Sequence, residues 1–194
     1  MRGKAALFLL CLLPAGWLLF AALTDRLGAN PIEAVTRGTG DWALRFLLIT
    51  LAITPLARLT GWRSLIGYRR LFGLYAFFYA SLHLLCYLWL DQFFDWAEIG
   101  HDLLERPFIT LGMLSWAMLV PLAATSNRRM MRRMGRRWKH LHRTIYLIAP
   151  LAVVHFFLLV KADWREPLLY LLVTVALLGM RIPVVRARRR QPAH

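Results

Sequence analysis

Six apolar stretches of membrane length restrict what this chain can fold into. They cover residues 5–23, 42–59, 71–90, 108–125, 142–160 and 167–181. A bilayer core ~30 Å thick takes about 20 helical residues to cross, and inside it each backbone amide must find its partner within its own segment. The chain is therefore read as an all-α integral membrane protein, a bundle of six transmembrane helices forming one domain over residues 1–194. Pro55 and Pro150 fall inside spans, where a kink accommodates them. The first span, behind Met1-Arg-Gly-Lys4, is long for the apolar core of a signal peptide and is read as a retained helix.

The linkers carry less pattern. Asn30-Pro31-Ile32-Glu33, with Thr36, Thr39 and Gly40, reads as a polar loop outside the membrane. Residues 91–107 are acidic and contain Trp96, which fits a short interfacial helix. Residues 126–139 are basic, and a basic tail runs from Arg186 to His194. No soluble domain, repeat or long linker is read in the sequence.

Charge sets orientation. With the N-terminus in the cytoplasm, 19 of the 25 Lys and Arg fall in cytoplasmic segments or at their helix ends, and all ten acidic residues fall on the opposite side. That asymmetry predicts an N-in, C-in topology. A net charge of +15 would suggest nucleic acid in a soluble protein. Here the basic runs adjoin membrane-length apolar segments, so they read as anchors to anionic headgroups, and no nucleic-acid partner is expected. Cys11 and Cys86 sit in apolar runs with no metal or disulfide spacing.

Histidine is the informative residue type, because an imidazole deep in an apolar span is costly unless something ligates or pairs it. His83 lies in the third span and His155 in the fifth, and both helices start at the cytoplasmic face. His83 is 13 residues beyond Arg70, ~20 Å, and His155 is 16 beyond Lys139, ~24 Å, so the two reach about the same depth. His142 stands at the basic entrance of the fifth span, ~20 Å short of His155. His140 sits beside it, His101 in the acidic segment and His194 in the tail.

Two imidazoles at matched depth suit the two axial positions of a haem. A zinc or copper site would want three or four ligands. No phosphate loop, dinucleotide fingerprint or Ser-His-Asp arrangement is visible, and no acid sits at the centre of a span to mark a proton-coupled carrier. A non-redox channel or assembly subunit, with histidines that only join helices, stays open on these residues. So does a self-contained reductase of ferric iron or oxygen.

Asn30-Pro-Ile-Glu33, Thr39-Gly40, Trp42, Thr54-Pro55, Leu71-Phe-Gly-Leu-Tyr-Ala-Phe77 leading to His83, Pro121-Leu-Ala-Ala-Thr-Ser126, Leu141-His142-Arg143 and His155 together resemble the MsrQ (YedZ) family. Members of that family are haem-binding membrane subunits of a periplasmic methionine sulfoxide reductase system. The resemblance covers nearly the whole chain. It implies a ferric-reductase-like bundle binding haem b in a bacterial inner membrane and a periplasmic molybdopterin partner, MsrP. It also implies electrons from the quinone pool or a cytoplasmic flavin reductase, and an association with FMN.

The wider superfamily carries two histidines on each of two helices. This chain has the pair His142 and His155 on helix five but only His83 on helix three, with Arg69 fourteen residues earlier. Arginine cannot replace imidazole as a ligand, although it can neutralise a haem propionate. The resemblance thus implies one complete site, His83 with His155, and leaves a second, on His142, short of its other ligand. It implies a donor supplied by a quinol or another protein.

Overall fold

The computed structural model describes residues 2–160 and 163–181, and all regular structure in them is helical. Lys161, the tail from Arg186 and His194 lie outside the described residues. In chain order the helices are α1 (Arg2–Leu23), α2 (Pro31–Leu59), α3 (Arg69–Leu85), α4 (Trp96–Glu105), α5 (Pro107–Ala124), α6 (Arg128–Met134), α7 (Arg136–Leu141), α8 (Ile145–Leu159) and α9 (Arg165–Gly179). A 3-10 turn over Arg63–Tyr68 leads into α3, and a π-helical turn over Cys86–Asp91 ends it. Among the described residues, five stretches are long and apolar enough to cross a membrane: Ala5–Leu23, Pro31–Leu59, Arg63–Asp91, Pro107–Ala124 and Arg136–Leu159. The chain is thus a multi-pass membrane protein.

The central helix is α2, and it begins earlier than the sequence reading placed it. Residues 31–40 are helix, not loop. Asn30 accepts the Glu33 backbone N–H through its side chain at 3.2 Å, and Pro31 sits in the first turn, where its missing N–H costs nothing. At 29 residues, about 44 Å long, α2 outreaches the ~30 Å hydrocarbon core. It packs along α3 and also touches α8 and α9, while α5 pairs with α8 and α3 meets α5. Leu51, Tyr79, Ile148, Val153 and Thr174 are fully enclosed where these helices meet.

Water-driven burial does not operate between helices in lipid, so packing and a few polar bonds hold the bundle. Phe46 of α2 lies 5.3 Å from Tyr79 and 5.6 Å from Tyr75, ring centre to ring centre. Tyrosine hydroxyls then fasten α1, which otherwise turns Leu9, Leu13, Trp17 and Leu19 outward. Tyr75 donates to the Phe8 carbonyl at 2.7 Å. Tyr79 donates to the Cys11 carbonyl at 2.8 Å and accepts the Ala15 N–H at 3.0 Å. That hydroxyl sits in the α1 ladder beside Pro14, whose ring opens the turn.

On the acidic side, α4 is the short helix expected in residues 91–107. Asp95 caps it, accepting the N–H groups of Ala97 and Glu98. Asp102 points inward, wholly buried, and its Oδ2 accepts from Tyr87 at 2.8 Å and Gln92 at 3.0 Å, while Oδ1 stands 3.0 Å from Arg106 Nε in an ion pair. This knot ties the end of α3 to the start of α5. Between them Phe93 and Phe94 both take positive φ, a turn that non-glycine residues enter only under constraint.

Candidate functional site

The helix pairs α2–α3 and α5–α8 line an open-ended cavity of about 500 Å³, within the range of pockets that take small molecules and cofactors. Its walls are mostly apolar, with Leu44, Leu47, Ala76, Leu119 and Phe156 among them. His83 and His155 both line it, their ring centres 6.0 Å apart. The two histidines therefore meet in space as their matched depth implied.

Each imidazole is oriented from behind by a backbone carbonyl. His83 Nδ1 lies 2.8 Å from the Thr36 carbonyl and His155 Nδ1 lies 2.6 Å from the Phe108 carbonyl. A carbonyl only accepts, so each Nδ1 carries the proton and donates it. Nε2 is then the unprotonated nitrogen, with its lone pair free to ligate. Fixing the far nitrogen of a histidine in this way is how proteins orient ligating imidazoles and raise their basicity.

A glycine one turn beyond each carbonyl makes the approach sterically open. A Cβ on Gly40 would lie 3.0 Å from His83 Nδ1, and one on Gly112 would lie 2.9 Å from His155 Nδ1 and Cε1. Both carbonyl–histidine pairs are separated by 47 residues. The sequence reading found no repeat. The structure shows one helix-pair device used twice, Thr36–Gly40 with His83 and Phe108–Gly112 with His155.

The donor set fits a metal shared between two imidazoles. With metal–imidazole bonds of ~2 Å and ring centres about 1 Å behind each nitrogen, two imidazoles sharing one metal would stand about 6 Å apart, centre to centre. The observed 6.0 Å meets that requirement, and no hydrogen bond occupies either Nε2 among the described residues. Arg37 and Arg106 line the polar end of the cavity with Asp41, Asp163 and Glu166. Trp116 lines it too, stacked on Phe77 at 6.4 Å and donating Nε1–H to Ser81 at 3.0 Å.

His142 and Arg69 lie elsewhere. His142 follows α7, stacked on Trp138 at 4.0 Å, and its Nε2 faces Thr125 Oγ1 at 3.0 Å. Thr125 spends its own proton on the Pro121 carbonyl, so His142 Nε2–H donates to it. Its bonded nitrogen is thus the one left free in His83 and His155. Arg69, at the start of α3, neighbours Tyr146 and Arg181 and does not line the cavity.

Residues 39–153 match the family described as the ferric reductase like transmembrane component. The chain is 51% identical over 189 residues to the protein-methionine-sulfoxide reductase heme-binding subunit MsrQ of Rhodospirillum rubrum, covering 96% of this chain and 91% of that protein. The chain belongs to the MsrQ family. The MsrQ of Caulobacter vibrioides is 51% identical across 90% of this chain and 84% of its own. That of Xanthomonas campestris pv. campestris is 53% identical across 88% and 79%. No solved structure matches the chain. Gly40, His83, Gly112 and the entrance histidine His142 fall within the stretch matched to the ferric reductase like component, whereas His155 stands two residues past its end.

Proposed function

We propose that this chain is the haem-carrying membrane subunit of a methionine sulfoxide reductase system and passes electrons across a bacterial inner membrane. The observation that carries the reading is the pair of imidazoles, each with Nδ1 bound to a carbonyl and Nε2 free, facing one cavity 6.0 Å apart. The relatives' shared name as heme-binding subunits supports the choice of group.

In this reading His83 and His155 would hold one haem b through their Nε2 atoms. Haem supplies a one-electron iron couple when bound. The chain's own residues set where that couple sits and what surrounds it. Thr36 and Phe108 fix the ligands' Nδ1–H and aim the rings, Gly40 and Gly112 give the rings room, and the apolar walls surround them. Arg37 and Arg106, on the polar end of the cavity and each ion-paired to a carboxylate, Glu33 and Asp102, are the lining cations that would neutralise the propionates. Arg69 is assigned no propionate of this haem. A second haem on His142 would have to displace the Thr125 contact, so a single haem is the favoured count.

The topology proposed is six spans with both ends in the cytoplasm. By this account α9, whose 15 residues span about 22 Å, is the sixth crossing. The acidic face with α4 is then periplasmic and meets the molybdopterin partner MsrP. The basic face receives electrons from quinol or a cytoplasmic flavin reductase, with or without FMN.

The test is discharge. Chemically reduced protein in vesicles should be reoxidised by MsrP with a sulfoxide substrate, and far more slowly by ferric iron, by oxygen or by MsrP without substrate. Equal discharge to iron or oxygen would favour a self-contained reductase and overturn the assignment.

A further inference from the structure

The end of the bundle away from the histidine cavity holds an unbalanced pair of cations. Arg181, at the end of α9, donates Nη2–H to the Leu51 carbonyl and Nη1–H to the Tyr146 hydroxyl at 2.6 Å, with its guanidinium 5.1 Å over that ring. The Leu51 contact has a local cause: the residue four ahead is Pro55, which has no N–H to give. Arg181 replaces that missing donor. Its Nε is left buried with no partner among the described residues. Arg69 lies beside Tyr146 and close enough to Arg181 for the two charges to repel.

No carboxylate side chain is within reach to offset them. All ten Asp and Glu lie within residues 25–41, 91–105 and 163–166, at the other end of the helices, and the sequence beyond Arg181 contains none. The four ion pairs among the described residues are likewise all at that far end. Two guanidiniums beside one tyrosine, one of them bonded to its hydroxyl and left with an unsatisfied donor, call for an anion rich in acceptor oxygens. Tyr146 is 38% exposed, so the cluster sits at the rim of the apolar bundle and not in its centre. That is the level at which basic pockets between helices meet phosphate groups.

We infer that Arg69, Arg181 and Tyr146 form a phosphate-binding site at this end of the bundle. Its ligand is the phosphate of an anionic phospholipid headgroup or a phosphate arriving from the aqueous phase. The site is independent of whether haem occupies the histidine cavity.

The full chain, purified and followed by thermal unfolding, provides the test. One arm compares phosphatidylcholine nanodiscs with nanodiscs containing added phosphatidylglycerol. The other compares detergent micelles in inorganic phosphate and in chloride at matched ionic strength. The unfolding midpoint of the wild type should rise in at least one arm: phosphatidylglycerol alone assigns the lipid headgroup, and a rise in both admits free phosphate. Arg69→Gln should lose the rise, and it leaves the Arg181–Leu51 contact in place, so its fold is not at stake. Arg128→Gln, on exposed α6, should keep it. No rise in either arm overturns the site, as does an Arg69→Gln variant that responds like the wild type. Equal loss in Arg128→Gln would reduce the effect to general surface charge and also overturn it.

Discussion

His83 and His155 face each other across 6.0 Å, each pinned through Nδ1 to a carbonyl 47 residues earlier and each lying against a glycine one turn past that carbonyl. Neither feature alone would mark a ligand, since an imidazole bonded to a carbonyl is also an ordinary way to join two membrane helices. The duplication and the two free Nε2 atoms facing one cavity give the arrangement its chemical direction.

The glycines offer a test that leaves both ligands in the chain. In Gly112→Ala the new Cβ would stand 2.9 Å from the His155 ring, and the ring cannot retreat without lengthening its bond to Phe108. Loss of an orienting contact behind a ligand typically costs 10–100-fold in affinity. Haem bound per polypeptide should fall sharply in Gly112→Ala and stay at the wild-type level in Gly16→Ala, where nothing lies within 4 Å. Haem content unchanged in Gly112→Ala would show that the cradle is not needed.

His142 should behave differently from the cavity pair. Its Nε2 is engaged with Thr125 and its ring with Trp138, so His142→Ala is expected to retain the wild-type ratio of haem to polypeptide. A ratio falling by half, measured on the same preparation, would mean that a second haem depends on it.

How much of this could be read from the sequence depended on side-chain chemistry. His83 and His155 stood out because an imidazole in an apolar run has a cost, and counting residues from two basic entrances placed them level. Their carbonyl partners left no trace, because any residue type at 36 or 108 supplies the same oxygen. Gly40 and Gly112 did leave one: each stands 43 residues before its histidine, a repeated spacing that a search for internal repeats could have caught. The start of α2 was also legible. Asn30, Pro31 and Glu33 form a helix N-terminus signature, but the following Thr36, Thr39 and Gly40 suit a turn as well. The Asp102 knot was not legible, because one acid among several in a polar segment gives no sign of facing inward.

Tyr79→Phe tests the fastening of α1. It removes a hydroxyl that both donates to Cys11 and accepts from Ala15. Bonds between membrane helices average about 0.6 kcal/mol and reach about 1.7. Unfolding in mixed micelles should show destabilisation in that range, with haem content preserved. A loss of several kcal/mol would mean that the ring packing against Phe46, and not the hydroxyl, had been disturbed.

Asp102→Ala should loosen the acidic segment. Tyr87 and Gln92 lose their acceptor and Arg106 its ion-pair partner, and a buried group left unpaired costs about 1–3 kcal/mol. Arg106 contributes little to that figure, since its side chain is 52% exposed and water takes over as its partner. Limited proteolysis or hydrogen exchange should report faster opening across residues 92–106, with α2 and α3 unaffected. Unchanged protection would show that Asp102 does not hold the segment.

The most direct measurement is the reduced-minus-oxidised absorbance spectrum of purified wild type, His83→Ala and His155→Ala, each normalised to polypeptide. The ligand pair proposed here predicts b-type bands in the wild type and their loss in both variants. A colourless wild type, or a variant that keeps its full haem content, would contradict it.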